Sequence, residues 1–250
     1  GRALAGGEHD AFFVPATASS GATLYDHCVL ALSRNLPAGT HGLPLMGTGD
    51  WNDSMNRVGE HGASESVWLG WFLGTMLARY EALASARGDR HTTALWSNRR
   101  AALAKALDQN GWDGAWYRRA YFDDGTALGT AAANECKIDS IAQSWAVMSG
   151  MADLAKAKTA MANLEIRLID WNDRIAHLFW PPLQHHVPDP GYIQGYPAGI
   201  RENGGQYTHG AIWAIFAFAK MRETEKAARL FALINPINHA LGIDDAIRYK

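Results

Sequence analysis

Apolar positions along this chain recur at helical rather than strand spacing. Between residues 19 and 35, Leu24, Cys28 and Leu32 fall on one face, with Pro37 just beyond. From Val67 to Leu77 the chain is apolar almost all round, the pattern of a helix packed on two sides. Ser64 is read as its N-cap and Gly88-Asp89 as its stop. Further helices are predicted over 91–109, 137–149, 152–167, 207–220 and 223–234. The 137–149 helix turns Ile138, Ile141, Ala142, Trp145 and Met148 inward and ends at Gly150. Residues 1–18 are glycine-rich and irregular. Nothing alternates over a length that would make a substantial strand. The aromatic stretch 111–125, with an Asp-Gly pair near each end, reads as a short extended or hairpin excursion.

Short turns join these helices in pairs, and two long loops, 36–63 and 168–206, separate pairs. Loops that long in a compact domain are usually functional or disordered. The first carries Trp, Leu and Met where a disordered loop would carry Ser, Lys and Glu, so it is read as functional. Alternating short and long connections predict an all-α fold of toroid type. Inner helices line an axis, outer helices pack around them, and loops at one end form the site.

Composition narrows this picture. Apolar residues make up 48% and charged residues 19%, ordinary for a globular protein. A net charge of −2, with no run of Lys or Arg, gives no nucleic-acid footprint. The longest apolar run, 211–219, is too short to span a bilayer, and no signal peptide is visible. Cys28 and Cys136 have neither metal nor disulfide spacing and are read as reduced and structural. The chain starts Gly-Arg-Ala-Leu and stops soon after a helix, which reads as a piece of a longer polypeptide. Ten tryptophans are more than a helical core of this size needs, and a sugar-binding cleft would also enrich them.

Chemistry concentrates in the 42–57 loop, where Gly49-Asp50-Trp51-Asn52-Asp53 is followed by Ser54-Met55-Asn56-Arg57. An indole offers a face for a sugar ring, carboxylates and amides bond hydroxyls, and a carboxylic acid can protonate a glycosidic oxygen. A polar loop capping the next helix would have the same composition. A second cluster runs from Gly195 through Arg201-Glu202-Asn203-Gly204-Gly205-Gln206-Tyr207-Thr208-His209. It leads into a helix N-terminus, where free amides, Arg201 and His209 could hold an anion such as phosphate. For His209 an ordinary hydrogen-bonded position in the first helical turn is the competing reading.

Gly49-Asp50-Trp51-Asn52-Asp53 with Glu65-Ser66-Val67-Trp68, then Arg201-Glu202-Asn203-Gly204-Gly205 with His209, resembles glycoside hydrolase family 94. Tyr117-Arg118-Arg119-Ala120-Tyr121-Phe122-Asp123-Asp124-Gly125, the segment from Ile138 to Val147 and Asn235-Pro236-Ile237-Asn238-His239 look like its cyclic β-1,2-glucan synthase subgroup. The resemblance covers essentially the whole chain. It implies an (α/α)6 barrel and inverting phosphorolysis of a β-glucoside, with inorganic phosphate as co-substrate and neither metal nor cofactor. Carried over by motif, Asp53 is the general acid, Trp51 flanks the reacting sugar and His209 contacts phosphate. Asp50 is a positioning residue, and with Arg57, Glu65, Gln143, Arg201, Glu202 and Tyr207 it completes the expected substrate-binding set. Asp170-Trp171-Asn172-Asp173 repeats the four letters without the flanking glycines and is read as a coincidental polar turn.

Seven helices are too few for a twelve-helix barrel, so residues 1–250 are expected to be a partial (α/α)6 catalytic domain. A further Thr/Gly/Ser-rich phosphate loop of the family is not found. The expected partners are a β-glucan, the remainder of the parent polypeptide, and a second copy through exposed apolar surface; no nucleic acid is expected. The resemblance places the chain in the cytoplasm or on the cytoplasmic face of the inner membrane within a larger membrane protein. The alternatives are an inverting hydrolase in which Glu202 or Asp50 activates water, and a non-catalytic glucan-binding module.

Overall fold

A computed structural model describes Val14, residues 16–17 and residues 19–249. Most of the 1–18 stretch lies outside the described residues. The described residues form eight α-helices and seven two-residue strands. The helices are α1 (Leu24–Arg34), α2 (Val67–Ala86), α3 (Arg90–Asn110), α4 (Ser140–Ser149), α5 (Leu154–Leu168), α6 (Thr208–Lys220), α7 (Thr224–Ile234) and α8 (Ile243–Arg248).

Six of them form three hairpins, α2–α3, α4–α5 and α6–α7, each closed by a turn of a few residues. Gly88, Gly150 and Arg222 take positive φ in those turns, which stops each first helix and reverses the chain. α4 packs on both α2 and α6, so the first helices of the hairpins form an inner layer, each backed by its partner. α4 is the centre of that layer: Ser140 through Val147 are all buried. This is why α2 and α4 are apolar on more than one side, whereas α7 buries only Ala227, Leu230, Leu233 and Ile234.

Three helix starts differ from the expectation by three residues or more or in their capping residue. Ser66, not Ser64, caps α2: its hydroxyl accepts from the Leu69 amide at 3.0 Å. The Ser64 amide instead donates to Asp123 Oδ1 at 2.9 Å. α4 begins at Ser140 because Ile138–Asp139 (β4) pairs with Phe179–Trp180 (β7), leaving Asp139 as its N-cap. α1 also starts later, at a capping box between Thr23 and Asp26, and its Leu24 is exposed. α8, absent from the sequence expectation, is a six-residue helix tied through Asp245 and Arg248 to Arg174 and Asp173.

Small sheets stitch the loops together at the end where α2, α4 and α6 begin. Glu65–Ser66 (β1) pairs with Ala120–Tyr121 (β2), and β2 with Ala127–Leu128 (β3). The predicted hairpin thus exists, displaced a few residues along the chain. Gly210 of α6 lies against the start of α4, where an added Cβ would stand 2.8 Å from Leu178 Cδ1 and 3.4 Å from Ser140 Oγ. The strands (the remaining pair is β5, Ile169–Asp170, with β6, Ile175–Ala176) act as clasps within a helical fold. Cys28 and Cys136 are both free, and no described helix is long and apolar enough to cross a membrane.

Candidate active site

The 42–57 loop folds around one buried ion pair. Arg119, fully buried beside β2, donates from Nη1 and Nη2 to the two oxygens of Asp50, at 2.6 Å each. Asp50 also accepts from the Ser66 hydroxyl at 2.6 Å and the Asn52 amide at 3.0 Å. Burial pushes the Asp50 carboxyl upward, but the guanidinium outweighs it and holds Asp50 below the usual carboxylate range. Arg119 Nε lies 3.1 Å from Asp139 Oδ2, an ion pair without good hydrogen-bond alignment. Burial therefore prevails at Asp139, and its pKa is pushed up to about 6. One guanidinium thus joins the 42–57 loop, the cap of α2 and the cap of α4.

Gly49 makes the turn that follows possible. Its φ is +138°, and a Cβ there would stand 3.0 Å from the Asp53 Cα. Asn52 turns inward and accepts from the Ser54 amide, while Asp53 is exposed. The Trp51 indole crosses to the start of α6, where its Nε1–H donates to His209 Nδ1 at 3.0 Å. Its ring also packs against Tyr207 and Trp213, at 5.2 and 5.4 Å between centroids. Tyr207 is the N-cap residue of α6 and makes no side-chain cap bond, so the amides of the first turn are not capped from it.

The wall facing Asp53 comes from the loop before α6. Tyr192 is held on the 42–57 loop by its amide, which donates to Asn56 Oδ1 at 3.2 Å, and the Ile193 amide donates to the Ser54 carbonyl at 3.0 Å. Gly191 permits this approach: a Cβ there would fall 2.2 Å from Asn56 Oδ1. Partial desolvation, then the charge of Asp53 and, more weakly, of Glu202, raises the Tyr192 hydroxyl pKa. Arg201 lies over the Tyr196 ring at 4.7 Å and is exposed, with φ of +52°. Glu202 is buried, its Oε2 3.5 Å from Arg201 Nε, and that oxygen has no hydrogen-bond partner among the described residues. A buried carboxylate oxygen without a hydrogen-bond partner is an acceptor left unmet inside the loop.

The structure brings together Trp51, Tyr207 and His209, sets Asp53 two residues further along the same loop beside Tyr192, and places Arg201 and Glu202 on the loop before α6. It does not bring three others of the expected set into an open cleft. Asp50 is sealed under Arg119. Glu65 is buried, its carboxylate taking the His41 and Leu43 amides at 2.9–3.1 Å and His41 Nδ1 at 2.5 Å. Gln143 is buried and bonds both the amide and the carbonyl of Tyr117, at 2.8 and 2.7 Å. These three bind the chain's own loops, so their contribution to a site is support. Arg57 is exposed and pairs with Glu60 and Asp189, at 3.0 and 2.7 Å. Tyr192, Tyr196 and Trp213 were not singled out from sequence. The glycines at 191 and 195, and the i+4 spacing of His209 and Trp213, were the available signals.

The second Asp-Trp-Asn-Asp forms the β5–β6 turn. Asp170 Oδ1 accepts from the Asn172 and Asp173 amides at 2.9 and 2.8 Å, and Arg229 lies over the Trp171 ring. This turn borders a surface depression of about 700 Å3 that includes Trp180 and none of the residues around Asp53.

The glycosyl hydrolase 94 superfamily catalytic domain matches residues 4–248. The chain belongs to glycosyl hydrolase family 94. A cyclic β-(1,2)-glucan synthase, NdvB, of Rhizobium meliloti (strain 1021) is 49% identical over 251 residues, covering all of this chain and 9% of that protein. Two phosphorylases are more distant. The 3-O-β-D-glucopyranosyl-β-D-glucuronide phosphorylase of Paenibacillus borealis is 34% identical over 80% of this chain and 26% of its own length. The N,N'-diacetylchitobiose phosphorylase of Vibrio proteolyticus is 26% identical over 90% of this chain and 28% of its own length. The chain therefore spans from about a tenth to about a quarter of the length of these relatives.

Proposed function

We propose that this chain carries the acid and part of the phosphate site of an inverting phosphorylase acting on a β-linked glucan. The observation that carries the reading is the Trp51–His209 hydrogen bond. It joins the loop bearing the exposed Asp53 to the N-terminus of α6, which has no side-chain cap, so a proton donor and an anion-ready helix end lie on segments held together. In the reaction, protonated Asp53 gives its proton to the glycosidic oxygen as the C–O bond breaks. A phosphate oxygen attacks the anomeric carbon from the opposite face. The products are a sugar 1-phosphate of inverted configuration and a glucan one residue shorter. Phosphate is itself the nucleophile, so one protein carboxyl group suffices. Trp51 supplies an apolar face to the sugar.

The 49% identity to a protein named as a cyclic β-(1,2)-glucan synthase supports a β-1,2-glucan as substrate. Three two-layer hairpins are half of the six in an (α/α)6 toroid, which supports a partial catalytic domain completed by further polypeptide. No cofactor or metal enters this reading.

A second reading, hydrolysis, is favoured by Glu202 alone, whose free oxygen could take a proton from water. Asp50 cannot serve as that base, because Arg119, Ser66 and the Asn52 amide occupy its oxygens. The test is sugar 1-phosphate release from β-1,2-glucan by the purified full-length protein, with and without phosphate. Phosphorolysis requires phosphate, and Asp53→Asn lowers the rate at least about 100-fold. Turnover without phosphate would establish the hydrolase, and an active Asp53→Asn variant would remove Asp53 as the acid.

A further inference from the structure

Trp51 and His209 meet through one nitrogen of each ring, Nε1 to Nδ1 at 3.0 Å. An indole N–H can only donate. Nδ1 must therefore offer its lone pair, and the neutral imidazole carries its proton on Nε2. We propose that Trp51 is a positioning residue for His209: its indole N–H selects the Nε2–H tautomer and aims that donor at the phosphate over the start of α6. The proposal rests on the phosphorolytic reading and deepens it. It assigns the nitrogen that meets phosphate and the residue that decides it.

Packing makes the selection durable. The indole is wedged between Tyr207 and Trp213, and the His209 ring lies 4.3 Å from Trp213, one helical turn further along α6. One residue before Trp51, the backbone is anchored by Asp50 on Arg119. Neither ring can turn away without unpacking the other. His209 is exposed, and no described residue bonds its Nε2, so this nitrogen is open to a ligand. Its N–H and the first-turn amides of α6 then form a set made only of donors, which suits a phosphate rich in acceptor oxygens. The same indole offers its face to the sugar, so one side chain orients both substrates.

Trp51→Phe keeps a flat ring in the packing and removes the N–H. In the full-length protein the expected result is a roughly three- to tenfold rise in phosphate KM, the worth of one neutral hydrogen bond. Glucan KM rises as well, because the smaller ring covers less of the sugar, so the nitrogen pattern and the His209→Gln background carry the test. Nitrogen-15 NMR of labelled histidine, with His209 assigned by its loss in His209→Gln, reads the tautomer directly. Wild type should show an unprotonated Nδ1 and a protonated Nε2, and Trp51→Phe should bring the two resonances closer. In a His209→Gln background the side-chain amide donates without help from Trp51, so adding Trp51→Phe should cost phosphate binding nothing more. An unmoved nitrogen pattern or additive effects would overturn the proposal. Should Trp51→Phe fail to fold, a protonated Nδ1 in wild type refutes it and an unprotonated one supports it. Absence of phosphate-dependent turnover in wild type would defeat the phosphorolytic reading, while the wild-type nitrogen pattern still judges the tautomer.

Discussion

Arg119→Met tests the buried ion cluster under the 42–57 loop. The substitution keeps most of the side-chain volume and removes the charge, leaving the carboxylates of Asp50 and Asp139 buried without a cation. Breaking a buried pair by deleting one partner destabilises by about 3–5 kcal/mol. For a domain of this size that is a fall in melting temperature of roughly 6–20 °C. The loss should depend on pH, with a sign that follows from the charges. In wild type Asp50 is held below its unfolded pKa by Arg119, so it favours folding above that value and ceases to do so only in strong acid. Without Arg119 each carboxyl loses the cation that lowers its pKa, while the Ser66 and Asn52 bonds to Asp50 and the Ile141 bond to Asp139 remain, so both move upward from wild type. The folded variant then binds more protons than folded wild type, so its deficit is largest at the alkaline end of the range and shrinks as pH falls. Urea unfolding followed by circular dichroism between pH 5 and 8 measures this. A deficit below about 1 kcal/mol, or one independent of pH, would refute the claim that Arg119 neutralises two buried charges.

Two further substitutions probe the same region. Burial pushes Asp139 up to about 6, above the ordinary aspartate value of about 3.9, so wild type should gain stability as pH falls from 7 to 4, by at most about 3 kcal/mol. Asp139→Asn should remove that gain, and an unchanged pH dependence of the urea midpoint would contradict the assignment. Gln143→Ala leaves the amide and carbonyl of buried Tyr117 unpaired and should destabilise by about 1–3 kcal/mol in the same assay. Glucan KM for that variant, measured in the full-length protein, should stay near wild type if Gln143 acts only as support.

Much of the helical framework was legible because its cause is local. The apolar surround of residues 67–77 follows from α2 lying between neighbours, and Gly88 and Gly150 end their helices by a backbone conformation that glycine adopts without strain. Boundaries failed where a distant strand intervened. Ile138–Asp139 has helical neighbours in sequence but pairs with Phe179–Trp180, about forty residues away, and this delays α4. Ser64 and Ser66 are both chemically able to cap; only the pairing of β1 with β2 places Ser66 at the helix start. The family was legible from ordered motifs, and the full-length match bears that out.

The sequence by itself determined that this is a helix-rich family 94 chain, with its polar chemistry in two glycine-bracketed loops. Periodicity, turn glycines and motif order are written in neighbouring residues, and no contact is needed to read them. Only the tertiary structure decided which acids of the first loop face outward. Asp50 and Asp53 are equally polar and three residues apart. Asp50 goes inside because a buried carboxylate needs a cation, and Arg119 supplies it from 69 residues along the chain. Asp53 has no such partner among the described residues and is exposed. The Trp51–His209 contact spans 158 residues and depends likewise on α6 arriving beside the loop, an outcome of helix packing that no local pattern encodes.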